Sequence, residues 1–116
     1  MAFSEFEVAR VRKTVGDFVE KRRPPPSIRP QLDLGFHVDG QSVVLFELRP
    51  VWRGAPGELL ERPYAKATWV KASRTWKVFW QRADLKWHRY VPLASARTIE
   101  EFLNAVAADE YHCFLG

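Results

Sequence analysis

A chain of 116 residues, 47% apolar and 28% charged, has the size and composition of one globular domain over residues 1–116; at this length no disulfide or metal is needed to hold a core together. The single cysteine, Cys113, excludes an intrachain disulfide and favours a reducing compartment. No segment approaches the ~18 apolar residues of a membrane span, and the opening "MAFSEFEVARVRK" lacks the apolar centre of a signal peptide, so a soluble, cytoplasmic protein is expected.

The first element in chain order is a helix over about residues 5–22. Ser4 and Glu7 have the spacing of a capping box, and Val8, Val11, Val15, Phe18 and Val19 recur at helical intervals. "RRPPPS" ends it, because proline removes an amide and restricts the residue before it. The same stretch has the chemistry of a polyproline ligand, but a helix stop and rigid connector is the simpler reading.

"PQLDLGFHVDGQSVVLFELRP" alternates as a hairpin turning at Asp39-Gly40. A two-residue Asp-Gly loop sets Leu32 against Glu47. A three-residue loop with Gly40 as a bulge sets Leu34 by Val44 and Leu32 by Phe46, gathering the apolar residues on one face, and is the expected register. Residues 50–63, with three prolines and two glycines, are expected to be a loop, with a helical turn at "GELLE".

Three further strands follow: "YAKATWV", "TWKVFWQ" and "LKWHRYV". With "KASR" as a four-residue turn, Trp69 faces Trp76, Ala67 faces Val78 and Ala65 faces Trp80, small against large. A short, even-length turn near Arg82-Ala83-Asp84 then brings Trp87 beside Trp80, making Trp69, Trp76, Trp80 and Trp87 one buried layer. That register leaves Arg89 on the core side, which the pattern disfavours, so Arg89 is expected either at the sheet rim or paired with a carboxylate. Thr98 and Glu101 cap a second helix over about 98–108, with Ile99, Phe102, Leu103 and Val106 as its apolar stripe. Phe114 and Leu115 are expected to dock on the core. The sum is an α+β fold: N-terminal helix, five-stranded antiparallel sheet and C-terminal helix in two layers.

Charge is unevenly spread. Residues 64–92 carry seven Lys/Arg against one Asp/Glu, although the whole chain is only +4. On the sheet face away from the helices this register places Lys66, Lys77, Phe79, Lys86, His88 and Tyr90. Bases interleaved with aromatics suit single-stranded nucleic acid, since lysines neutralise phosphates and rings stack on bases. The competing reading is an ordinary solvated face.

Other chemistry finds little support. His37, His88, His112 and Cys113 have none of the spacings of a zinc site. Cys113 with His88 is the only conceivable Cys–His pairing, and a lone cysteine near a chain end is usually a small core residue. "GAPGELL" lacks the lysine of a phosphate-binding loop. No metal, cofactor or catalytic residue is therefore expected.

"KRRPPP", "GQSVVLFELRP", "AKATWVKA", "ADLKWHRY" and the closing "CFLG", taken in order, resemble a bacterial family of short proteins catalogued as domain of unknown function 3024. The resemblance spans nearly the whole chain. It implies a bacterial cytoplasmic protein and brings no activity, cofactor or site residue with it. The functional expectation is a non-enzymatic module that binds single-stranded nucleic acid. A protein-interaction or self-associating module is the second reading, and an enzyme of unrecognised type the third.

Overall fold

The computed structural model describes residues 4–109 and 114. Helix α1 (Glu5–Arg22) starts where expected, with the Ser4 Oγ accepting from the Glu7 amide at 3.2 Å, and buries Val11, Val15 and Val19. Helix α2 (Ile99–Ala108) is capped in the same way by Thr98 and buries Ile99, Phe102, Leu103 and Val106. Between the helices run β1 (Asp33–Asp39), β2 (Ser42–Pro50), β3 (Leu59–Val70), β4 (Thr75–Gln81) and β5 (Trp87–Arg89). A single 3₁₀ turn, Val91–Leu93, leads to a short β6 (Ser95–Ala96).

The strands pair antiparallel in chain order from β1 to β5, and β6 joins β4 beyond the end of β5. Both helices pack on one face of this sheet. Their buried side chains share one core with Val43, Leu45, Ala65, Ala67, Trp76 and Val78. This is the expected two-layer α+β arrangement, with a sixth strand that the sequence reading did not include.

Three expectations about register and extent fail. The first hairpin has a two-residue loop, Gly40-Gln41, pairing Asp39 with Ser42, Val38 with Val43 and Leu34 with Glu47. Only Gly40 takes a positive φ (59°) there, so one glycine at the first central position suffices and no bulge residue is needed. The expected register assumed that β2 is apolar on one face, but "VVLF" is buried on both. Val43 and Leu45 enter the helix-covered core with Phe36 and Val38 opposite them, whereas Phe46 is buried on the other face.

The second failure is the loop over 50–63. β2 and β3 stay paired out to Pro50 and Leu59, so the connection is residues 51–58 and "GELLE" contributes to a strand rather than a helical turn. Tyr64 is the extra residue where the β2–β3 register shifts, and it turns into the core at 6% exposure. Burial pushes its phenol up to about 12.

The third concerns the tryptophan layer. The β3–β4 register is as expected, with Trp69 opposite Trp76 (ring centroids 5.4 Å apart), Ala67 opposite Val78 and Ala65 opposite Trp80. Trp76 is buried, and Trp69 and Trp80 are half-buried against the core. Trp87 lies on the opposite face, for the reason given below. Phe114 docks as expected, against Tyr90 at 4.6 Å between ring centroids; Leu115, His112 and Cys113 lie outside the described residues.

Two local contacts fix the first layer. A Cβ at Gly35 would lie 2.6 Å from the Phe46 ring, so the absent side chain is what lets Phe46 lie across β1. Where α1 ends, Arg23 donates through both Nε and Nη2 to the Asp33 carboxylate at 2.8 Å, tying the helix to the first residue of β1. Those bonds hold the Asp33 carboxyl below its ordinary value of 3.8, with the amide of Leu34 adding to the effect.

Both contacts can be measured. Gly35→Ala should destabilise the fold by about 1–3 kcal/mol in urea unfolding. Forcing a methyl against a ring outweighs the roughly 0.4–1 kcal/mol that an alanine gains by stiffening the unfolded chain. Asp33 contributes fully above its ordinary pKa, and that contribution is lost as pH falls through the lowered value. Asp33→Asn should therefore lower the urea midpoint at neutral pH, and its deficit relative to the parent should close as the solution is acidified. A deficit constant with pH would show that the ion pair is not its source.

Candidate nucleic-acid interface

The face turned away from the helices is organised by the β3–β4 register. Because Ala65, Ala67, Val78 and Trp76 point into the core, the intervening residues Lys66, Thr68, Lys77 and Phe79 point out, with Lys66 opposite Phe79 and Thr68 opposite Lys77. The row continues across the sheet as His37, Val44, Lys66, Phe79 and Arg89, one residue from each of β1 to β5. With strands about 4.8 Å apart, the row spans roughly 19 Å.

The β4–β5 connection determines which of the remaining residues join it. Five residues, 82–86, separate the strands, where a short even-length turn was expected. The Arg82 amide donates to the Lys86 carbonyl at 3.2 Å, the Leu85 amide to the Arg82 carbonyl at 2.8 Å, and the Lys86 amide to Asp84 Oδ1 at 2.9 Å. Asp84 Oδ2 lies 2.9 Å from His88 Nε2. The Lys86 amide first, and His88 second, hold the Asp84 carboxyl below its usual range.

The odd loop length inverts the face of every residue that follows. Gln81 pairs with Trp87, Trp80 with His88 and Phe79 with Arg89. Of the six residues expected on the open face, Lys66, Lys77 and Phe79 are there, and Lys86 is exposed in the turn. His88 instead shares the side of Trp80, at 6.5 Å between ring centroids, and Tyr90 is buried at 3% exposure. In their place the open face receives Trp87 and Arg89, and Arg89 is exposed rather than on the core side. The signal that could have found them is loop parity, but it was hidden because the turn is completed by Leu85 at a φ of 63°, an uncommon conformation for a residue of its kind.

These residues form one cluster. The Lys66 ammonium lies 4.9 Å from the Phe79 ring centroid and 4.9 Å from that of Trp87. The Arg89 guanidinium is 5.7 Å from Phe79 and also donates to the Ala94 carbonyl at 2.9 Å. Burial lowers the Lys66 pKa, since the rings remove water without supplying a carboxylate. Among the described residues none of Lys66, Lys77, Lys86 and Arg89 has an ion pair. At the far side of the face His37 stacks on Phe46 at 4.6 Å and pairs with Glu61 at 3.0 Å. A cleft of about 210 Å³ between α1 and the start of α2, lined by Val11, Trp69, Trp76 and Ile99, opens on the helix side and contains none of the six expected residues. Among the described residues no group of three or more His, Cys, Asp or Glu is arranged to hold a metal ion, and no helix is long and apolar enough to cross a membrane.

The fold and this face define a small α+β domain with one helix-covered and one open, cationic sheet surface. The chain belongs to the family described as domain of unknown function DUF3024, whose model matches residues 3–116. Among curated proteins and solved structures, none matches the chain.

Trp76 and Trp87 should differ in structural weight. Trp76→Ala removes a buried ring and should cost about 3–5 kcal/mol in urea unfolding. Trp87→Ala removes a half-buried ring outside the helix-covered core and should cost about 0.8–1.5 kcal/mol, roughly half of what a fully buried large apolar side chain contributes. Equal losses would contradict the β4–β5 register.

Proposed function

We propose that this protein is a non-enzymatic module that binds single-stranded nucleic acid on the open face, in a bacterial cytoplasm. The observation that carries the reading is the Lys66 ammonium held between Phe79 and Trp87 with no carboxylate partner among the described residues. A phosphate arriving there supplies the missing counter-charge in a site that burial has already partly dried, where the attraction is stronger than in bulk water. Arg89, Lys77 and Lys86 extend the positive surface to either side, and Trp87 and Phe79 offer rings on which bases can stack. The contacts this reading uses are charge on phosphate and ring on base, neither of which reads a base edge, so it implies weak sequence preference.

Fluorescence anisotropy with labelled oligonucleotides tests this. Binding should weaken as salt rises, with a log–log slope of about −0.7 per phosphate neutralised, and Lys66→Ala, Lys77→Ala and Arg89→Ala should each flatten the slope. Trp87→Ala should weaken binding by roughly 1–3 kcal/mol per stacked base and leave the slope little changed. Tyr90→Phe, altering a buried side chain, should bind as the parent does. An oligonucleotide should compete better than heparin at equal charge, because heparin has nothing to stack. Absence of binding at low salt, or no preference over heparin, would overturn the reading in favour of a protein contact on the same face.

A further inference from the structure

β1 ends the sheet, and among the described residues nothing pairs with its outer side. The two-residue loop makes Asp39–Ser42 a hydrogen-bonded pair, and the alternation of an antiparallel ladder extends this to His37–Val44, Gly35–Phe46 and Asp33–Leu48. The backbone groups of Leu34, Phe36 and Val38 therefore face outward. In keeping with this, the Leu34 amide donates not to β2 but to Asp33 Oδ1, at 2.8 Å. The strand is seven residues long, with no proline, no lysine and no bulge within it, so apart from the aspartate at each end it lacks the usual protections of a free edge. Leu34, Phe36 and Val38 face the helices but stay only partly buried.

The strand also reads alike in both directions. In "DLGFHVD" an acid stands at each end, an aliphatic residue lies inside each acid, and Phe36 is central. We infer that the free edge of β1 pairs with β1 of a second copy of this chain, antiparallel about a two-fold axis at Phe36, making one continuous sheet. This goes beyond the nucleic-acid reading and does not depend on it.

Phe36 then faces Phe36 of the second copy, and Leu34 faces Val38. The two Phe36 amides donate to the facing Phe36 carbonyls, and the two Val38 amides to the facing Leu34 carbonyls, leaving the Leu34–Asp33 bond intact. The partly buried apolar side chains of the two strands close over each other on the helix side. On the open face His37 falls opposite Gly35, where there is no side chain to meet. The same register sets Asp39 opposite Asp33 of the second copy, a like-charge pair at each end that the Arg23 fork on Asp33 relieves in part, with Arg29 adding to it.

Sedimentation velocity across a dilution series should show a monomer–dimer equilibrium. Val38→Pro, which removes an outward amide with no ladder partner among the described residues, should shift it to monomer. Asp39→Asn should tighten the dimer by about two- to thirtyfold, because one repulsive cross-strand pair disappears at each end. In the parent protein, hydrogen exchange at the Phe36 and Val38 amides should slow as concentration rises, a readout that stands even if Val38→Pro does not fold. A monomer at the highest soluble concentration would overturn the inference. So would a folded Val38→Pro that still dimerises, or Phe36 and Val38 amides that exchange freely in the dimer.

Discussion

The pairing of β3 with β4 is the constraint on which the rest of the molecule depends. Once Ala67 lies against Val78 and Ala65 against Trp80, the alternation of side chains leaves no freedom. One set must go under the helices, and the other, Lys66, Thr68, Lys77 and Phe79, must face away. The two alanines, both fully buried, leave the volume that Phe102, Leu103 and Val106 of α2 and the valines of α1 fill. A residue slipped in this ladder would bury lysines and expose the core, so the energetic weight of the whole hydrophobic layer holds the charged face in place.

Much of this was legible in the sequence because several local signals agree. Both helices follow from a capping box, an apolar stripe and, for α1, a proline stop. The β3–β4 ladder follows from a four-residue turn and the small-against-large alternation. The errors fall where one apolar pattern fits two faces. "VVLF" in β2 is apolar at consecutive positions, and the residue that resolves it, Gly35, makes room for Phe46 from a different strand. "LKWHRY" alternates equally well in either register. Its face is set by a loop whose length depends on the non-glycine residue Leu85 taking a left-handed conformation. Of the candidate cluster, Lys66, Lys77 and Phe79 could be read because they lie on the well-specified hairpin, whereas Trp87 and Arg89 could not because they lie beyond that loop.

The electrostatics of the two faces also differ in kind. On the helix side the ionic contact between Arg23 and Asp33 is bidentate, and it lowers the acid's pKa, so it adds to stability at neutral pH. On the open side Lys66 is lowered by burial without a compensating anion, so holding its charge works against the fold. The aromatic rings offset part of that cost. A cation kept in such a place is available to an outside anion in a way that the guanidinium of Arg23, already engaged by Asp33 and Glu20, is not.

The far end of the β2–β3 ribbon behaves differently from the sheet it grows out of. From Arg49 through Arg62 every residue but Val51 is exposed, including Trp52, Leu59 and Leu60. A two-stranded ribbon without a packed face has little to hold it beyond its own ladder. Opening it from residues 51–58 inward would break the pairs of Pro50 with Leu59 and Arg49 with Leu60 while leaving the helix-covered layer untouched. The tip is thus thermodynamically separate from the domain's cooperative unit, and it is the place where the chain can lengthen, shorten or accept a foreign insert with the least effect on folding.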